Sequence, residues 1–302
     1  MPDSRFPLGV TAVMLPELDF EQQVSLMAEL GLTHYSLRPR IISEKQRSQP
    51  WSNWGNHRFD LTPQRLLDEA GSLRDALTTA GLTPFGTVPA ATTADSDETL
   101  DIHLQGALAV GAGRVRLNPA PYPKGAFDYG AYLDEVVKRY GQIIERSAAM
   151  GVKLVMETHA HSSAAGPGLA WAICRQFDPA HLGVIFDLPN FAREGNNQPS
   201  LAVSVLGPWI DHCHIGGSRR VSSGYDADGF RRTQDLFCPL GECDLYLPDY
   251  LAALSEADLE CPLIIEDYTP GMPGATRLRD SAVMLRRALA AIEQPTESAP
   301  TA

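Results

Sequence analysis

Four short apolar runs in the second half of the chain end on residue types that bind metal ions or move protons. They are Val-Met-Glu157-Thr-His159, Ile-Phe-Asp187, Asp211-His212-Cys213-His214-Ile and Ile-Ile-Glu266-Asp-Tyr268. A carboxylate that follows an apolar run is costly to bury unless it is paired or coordinated. Any one of these ends alone is a weak signal. Four successive ends carrying Glu, Asp, His and Glu would gather three carboxylates and one imidazole around a single point. Carboxylates so gathered repel, and a divalent cation is the simplest remedy.

Strand alternation sorts the remaining candidates. His212 and His214 share one face, whereas Asp211 and Cys213 are expected to face the covering helices. His214 is nearer the strand tip and is the better ligand. His212 sits about one layer deeper, either as a hydrogen-bonded interior histidine or as a substrate contact. His159 lies two residues beyond Glu157 and is a natural proton carrier or substrate contact, while His161 belongs to a plain loop. Arg38 and Asn118 stand at the tips of the second and fourth strands. They suit hydroxyls or a carboxylate, with a structural salt bridge or a turn as the alternatives. The Arg219-Arg220 pair could grip a phosphate or carboxylate bidentately, or be solvated charge. Gly111-Ala-Gly113 precedes a strand instead of opening a helix, which removes a dinucleotide reading.

Something must hold those tips together. The chain repeats one phrase of apolar run, turn and amphipathic helix, with strands expected at 6–15, 33–37, 82–88, 114–117, 152–157, 182–186, 209–215 and 262–267. Helix punctuation is clear at Asp19, Thr62-Pro63 and Ser96 as starts, and at Gly31, Gly81, Gly111 and Gly151 as stops. The strands are apolar on both faces, as buried parallel strands are. Eight such units without a compositional break predict an α/β fold, a single-domain (β/α)8 TIM barrel over residues 1–293, in preference to an open doubly wound sheet. Residues 294–302 are rich in Pro, Ser, Thr and Ala and are expected to be a disordered tail. Long loops follow the second strand (39–61, with Trp51, Trp54, His57 and Arg58) and the seventh (216–245, with Arg231 and Arg232). Both fall on the C-terminal face, where barrel active sites form. They are expected at the mouth of the site, with an oligomer contact as the alternative.

Composition closes off several classes. The 302 residues include 25 Lys+Arg against 37 Asp+Glu, for a net charge of −12. That balance argues against nucleic acid and anionic membranes as partners. No apolar run approaches the ~20 residues of a membrane span, and the first residues lack the apolar core of a secretory signal. Five cysteines with no CxxC pair read as reduced thiols, and a cytoplasmic location is expected.

The motifs METH (156–159), FDLPN (186–190), DHCHIGGS (211–218) and IIEDY (264–268) on eight strand-helix units resemble the sugar isomerase/epimerase barrels related to xylose isomerase. That group includes ketose 3-epimerases, hydroxypyruvate isomerase, inosose dehydratase and 3-dehydroshikimate dehydratase, and the resemblance spans 6–293. It implies that Glu157, Asp187, His214 and Glu266 bind one divalent ion, with Mn expected and Mg, Co or Zn as alternatives. It also implies proton transfer by Glu157 and Glu266, with His159 beside them. Two departures stand out. Asn190 occupies the place where epimerase members tend to have a histidine, and is kept as a substrate-binding candidate with Arg38, Asn118, His159, His212 and Arg220. The spacing from His214 to Glu266 is also stretched, which makes a simple ketose 3-epimerase less expected. The implied function is a metal-dependent isomerase or epimerase of a sugar or related polyhydroxy carbonyl compound, acting through proton abstraction and a metal-stabilised enediolate. Alternatives are a metal-dependent lyase (a dehydratase or C-glycoside-cleaving eliminase), a metal-assisted hydrolase, and a non-catalytic sugar-binding or subunit-interaction barrel. The expected partners are a small carbohydrate-like substrate and, from the family, another copy of the chain or a different subunit.

Overall fold

The computed structural model describes residues 5–293, so the expected tail at 294–302 lies outside the described residues. Eight strands close into a parallel barrel: β1 (Leu8–Thr11), β2 (His34–Leu37), β3 (Thr83–Thr87), β4 (Arg114–Arg116), β5 (Lys153–Glu157), β6 (Leu182–Asp187), β7 (Ile210–Ile215) and, after an inserted hairpin, β10 (Leu263–Ile265). Their order around the barrel is β1-β10-β7-β6-β5-β4-β3-β2. The inserted hairpin pairs β8 (Gly217–Tyr225) with β9 (Arg231–Cys238) in a separate antiparallel sheet. The stretch expected as a long loop after the seventh strand therefore carries regular structure of its own.

The helices begin where the capping residues sit. Asp19 forms a reciprocal capping box with Gln22, while Thr62 and Ser96 cap the helices that follow them. Gly111 closes Asp97–Val110 in the left-handed region that glycine enters without strain. Two details differ from the pattern. The helix expected from Thr62 to Gly81 is broken at Glu69 into Pro63–Asp68 and Ala70–Thr79. A further helix, Leu188–Glu194, starts directly at Asp187, whose side chain caps it.

Register brings the functional tips side by side. Asp187 pairs with His214 across β6 and β7, and His214 pairs with Ile264 across β7 and β10. The hairpin stretches the sequence spacing without disturbing that neighbourhood, because it leaves the barrel at Gly216. A Cβ there would lie 2.3 Å from the Glu266 carbonyl oxygen, so only glycine permits the two segments to approach this closely.

The barrel floor corrects one expectation. Asp211 does not face the helices. The β6–β7 register shifts between Val184 and Ile185, so that Ile210 and His212 have partners and Asp211 is the extra residue of a bulge. The bulge resets the alternation and turns the carboxylate inward. There it lies 2.7 Å from Arg114 Nε and 2.7 Å from Lys153 Nζ, and accepts a hydrogen bond from His212 Nδ1 at 2.9 Å. Burial opposes the charge of Asp211, yet the His212 hydrogen bond and the Arg114 and Lys153 charges hold its carboxyl far below the usual range. Phe85 seals the layer, with Arg114 over its ring at 4.4 Å and His212 edge-on at 5.0 Å.

Asp211→Asn removes the carboxylate from two cations and a histidine at once. Arg114 and Lys153 keep some solvent contact, so the loss is expected at about 2–4 kcal/mol, below the full cost of breaking a buried pair. Equilibrium denaturant unfolding measures it, and an unchanged midpoint would show that the floor ion pairs contribute nothing.

Candidate metal centre

Glu157 ends β5, Asp187 ends β6, His214 is the next-to-last residue of β7, and Glu266 follows β10 directly. One ligand atom from each lies within 4.8 Å of all the others. The side chains are sealed from solvent, with exposures of 0 to 5%. His214 Nδ1 is the focus: Glu157 Oε1 stands at 3.2 Å, Asp187 Oδ2 at 3.1 Å and Glu266 Oε2 at 2.9 Å. Neighbouring donors on an octahedron with bonds near 2.1 Å are about 3 Å apart, the spacing of His214 Nδ1 from each carboxylate, so the cluster could hold one divalent ion. Three hard oxygens with one imidazole suit Mg, Mn or Zn.

The three carboxylates share one design. Each turns one oxygen toward His214 and has the other held from outside. Glu157 Oε2 takes Arg116 Nη1 at 2.8 Å and Asn118 Nδ2 at 3.5 Å. Glu266 Oε1 accepts the Tyr268 hydroxyl at 2.6 Å. Asp187 Oδ1 accepts the Asn190 backbone N–H at 2.8 Å, the first hydrogen bond of the helix that it caps. Such outer partners orient metal ligands and are part of the site. Arg116 offsets one of the three negative charges, which leaves the charge that one divalent ion neutralises.

The electrostatics follow. Burial pushes the Asp187 carboxyl up to about 7, and the charges of Glu157 and Glu266 add to it, although the His214 hydrogen bond pulls it back. Burial disfavours a charged His214, but Glu266, Asp187 and Glu157 together hold it well above its ordinary value. Burial would raise Glu157 as well, and the Arg116 guanidinium instead keeps it well below the carboxylate range. His214 Nε2 is buried without a partner among the described residues. The ring orientation thus rests on the carboxylate side.

The remaining sequence candidates separate clearly. Asn118 joins the cluster, since its Oδ1 also accepts the Glu157 N–H at 3.0 Å. His212 lies beneath it, with rings 5.4 Å apart, and is bonded to Asp211. Burial lowers it to about 4, so it is neutral at pH 7. Asn190 turns its amide oxygen to the Ala160 N–H at 3.1 Å and pins the loop that carries His159. His159 is half-buried there, and its Nδ1 donates to the Ala160 carbonyl at 2.7 Å. Arg38 is buried and donates to the Gly55 carbonyl at 3.1 Å. Arg220 is exposed on β8 and engaged by Asp235 at 2.8 Å and by the Arg193 carbonyl, while Arg219 pairs with Glu242. The two do not form a joint grip.

Arg116, Arg40 and Tyr268 were not among the sequence candidates. Arg116 shares strand parity with Asn118, which is the signal that could have found it. Tyr268 joins the two insertions: Trp54 of the first lies 4.7 Å from its ring and Phe237 of β9 lies 5.2 Å away. Both long insertions therefore meet over the residue that holds Glu266, at the mouth of the site. The Arg40 guanidinium stacks on Trp54 at 5.6 Å.

The sequence matches the family model described as xylose isomerase-like TIM barrel over residues 20–288. No curated protein matches the chain. Among solved structures it resembles a xylose isomerase-like TIM barrel protein from Mycobacterium smegmatis in complex with magnesium, at TM-score 0.64 and 17% identity, covering 95% of this chain and 98% of that one. It also resembles 3-keto-D-glucoside 4-epimerase from E. coli at TM-score 0.62 and 12% identity, covering 95% and 99%. The probable 3-DHS dehydratase from Bacillus anthracis, involved in petrobactin synthesis, gives TM-score 0.64 and 14% identity, covering 96% and 100%. At such identities the structural likeness establishes the fold alone. No helix among the described residues is long and apolar enough to cross a membrane.

Metal-free protein should bind one equivalent of Mn or Mg by calorimetry and release protons as it does so. Asp187, titrating near 7, and His214, titrating higher, hold protons that an incoming ion displaces. Affinity should therefore fall as the pH drops through 7 and rise above it. Binding with no pH dependence, or no binding at all, would contradict the assignment.

Proposed function

This chain belongs to the family of xylose isomerase-like TIM barrels, and we propose that it is a divalent-metal-dependent isomerase or epimerase of a sugar or related polyhydroxy carbonyl compound. One observation carries the reading. Three buried carboxylates each present a single oxygen to His214 Nδ1 while their other oxygens are anchored elsewhere. Ligands anchored from outside keep their positions while the charge at the centre changes, as Lewis-acid chemistry requires. Glu157, Asp187, His214 and Glu266 would hold the ion, which when bound supplies Lewis-acid chemistry to adjacent substrate oxygens.

The chain's own groups handle the proton. Glu157 and Glu266 come from the outer two of four adjacent strands, so they bracket the centre. Arg116 makes Glu157 reluctant to keep a proton, which favours Glu266 and His159 as the carriers. Removal of a C–H proton beside a carbonyl and its return to the opposite face gives epimerisation; return to the neighbouring carbon gives isomerisation. Asn118 and Arg116 keep Glu157 aimed throughout. Relatives of this fold named as an epimerase and as a probable dehydratase support the choice of C–H chemistry. The five cysteines are free thiols, in keeping with a reducing compartment, and the cytoplasm is the proposed location.

A lyase is the second reading, favoured by the wall of Trp54, Tyr268 and Phe237. Three rings in sequence offer flat surfaces to a conjugated or aromatic product.

Both readings meet one experiment. Mn-loaded protein in D2O, offered ketoses, inososes, dehydroshikimate and glycosides, should exchange one substrate C–H for deuterium as product forms. His159→Gln should lower kcat by about 10²–10⁴ with metal affinity retained, and Glu266→Gln should abolish exchange. Full turnover after chelation sinks the metal-dependent reading. A rising ultraviolet absorbance from a new conjugated product selects the lyase.

A further inference from the structure

The geometry points to an oxyanion on the substrate, a carboxylate or a phosphate, received by Arg38 and Arg40; this rests on the reading above of the centre as a substrate site. Buried arginines in this protein otherwise have partners. Arg116 pairs with Glu157 at 2.8 Å, and Arg277 is engaged by the carbonyls of Met14 and Thr269 and by Asn53. Arg38, at 3% exposure, makes one side-chain hydrogen bond, to the Gly55 carbonyl. The Nε atoms of all four are buried without a partner, so the difference lies in the outer nitrogens: Arg40 makes no side-chain hydrogen bond among the described residues, and its contact is the face of Trp54. A guanidinium carries five N–H donors, and among the described residues neither arginine has a carboxylate within 4.0 Å. Two poorly partnered cations on one segment are costly to hold. Burial lowers both from their ordinary value, and Arg40 lowers Arg38 further. A bound anion removes that cost.

Their position relates them to the reacting centre. Arg40 rests on Trp54, Trp54 on Tyr268, and the Tyr268 hydroxyl on Glu266. Two rings, Trp54 and Tyr268, therefore separate Arg40 from a candidate metal ligand. Charge balance agrees. Arg38, Arg40 and Arg116 match Glu157, Asp187 and Glu266 one for one, so a divalent ion makes the assembled site doubly positive. A neutral sugar would leave that excess unmet, whereas an acid answers it. The guanidinium fork suits both carboxylate and phosphate.

Binding to the metal-loaded full chain should be measured by calorimetry with D-fructose, 2-keto-D-gluconate and D-fructose 6-phosphate. At least one acid should bind about tenfold tighter or more than the neutral ketose, and which acid it is separates carboxylate from phosphate. In Arg40→Gln and Arg38→Gln that preference should collapse while Mn affinity stays as in the parent. If Arg38→Gln fails to fold, Arg38→Lys, which keeps the charge and loses the fork, should retain only part of the preference. Equal or weaker binding of both acids, absence of binding included, overturns the inference, as does a preference unchanged by Arg40→Gln. Failure of Mn to bind would instead overturn the metal-enzyme reading, and the acid preference would then be read on the metal-free chain.

Discussion

Three carboxylate oxygens press on one imidazole nitrogen at 2.9–3.2 Å in a space closed to water. Like charges about 4 Å apart cost roughly 1 kcal/mol in bulk water and several times more inside a protein. This crowding is tolerable only because every carboxylate is restrained by a different element. Arg116 on β4 restrains Glu157, the Leu188–Glu194 helix start restrains Asp187, and Tyr268 restrains Glu266. The stored repulsion is what gives the centre its appetite for a cation. Loss of any restraint would let a carboxylate swing away and discharge it.

The barrel makes that crowding possible at small cost elsewhere. Adjacent parallel strands place their tips within one side-chain length of each other, so four neighbours are enough to build the centre. Below it, the bulge at Asp211 fills the interior with an ion network in place of the usual layer of branched apolar residues. That network fixes His212, which in turn supports the layer containing His214. The insertions then act from above, meeting on Tyr268. Floor, centre and cover are thus linked through residues that each bond in two directions.

The four cluster residues were legible because each follows an apolar run at inward parity, a signal wholly local to its strand. Helix starts at Asp19, Thr62 and Ser96 were legible for the same reason. What stayed hidden depends on relations between distant segments. The bulge that turns Asp211 inward arises from the pairing of β6 with β7, and strict alternation sends that residue the wrong way. Arg116 shares parity with Asn118, but its partner Glu157 emerges only when β5 is laid beside β4. Trp54, Tyr268 and Phe237 come from three separate insertions or tips, and nothing in the spacing of one refers to the others. Asn190 was singled out for its position, but its amide serves the backbone of the neighbouring loop.

The whole-chain charge of −12 and the local charge of the site point in opposite directions. The net figure is dominated by exposed carboxylates, whose field is screened over about 8 Å at physiological salt. Within the dry mouth, screening is weak and only near groups count. There Arg38, Arg40 and Arg116 stand against three carboxylates already committed to His214 and their anchors. An acidic protein can therefore present a cationic site to a small ligand while repelling polyanions from its surface. The same separation explains why a composition that argues against nucleic acid says nothing against an acidic substrate: the first is read by the surface, the second by the side chains at the strand tips.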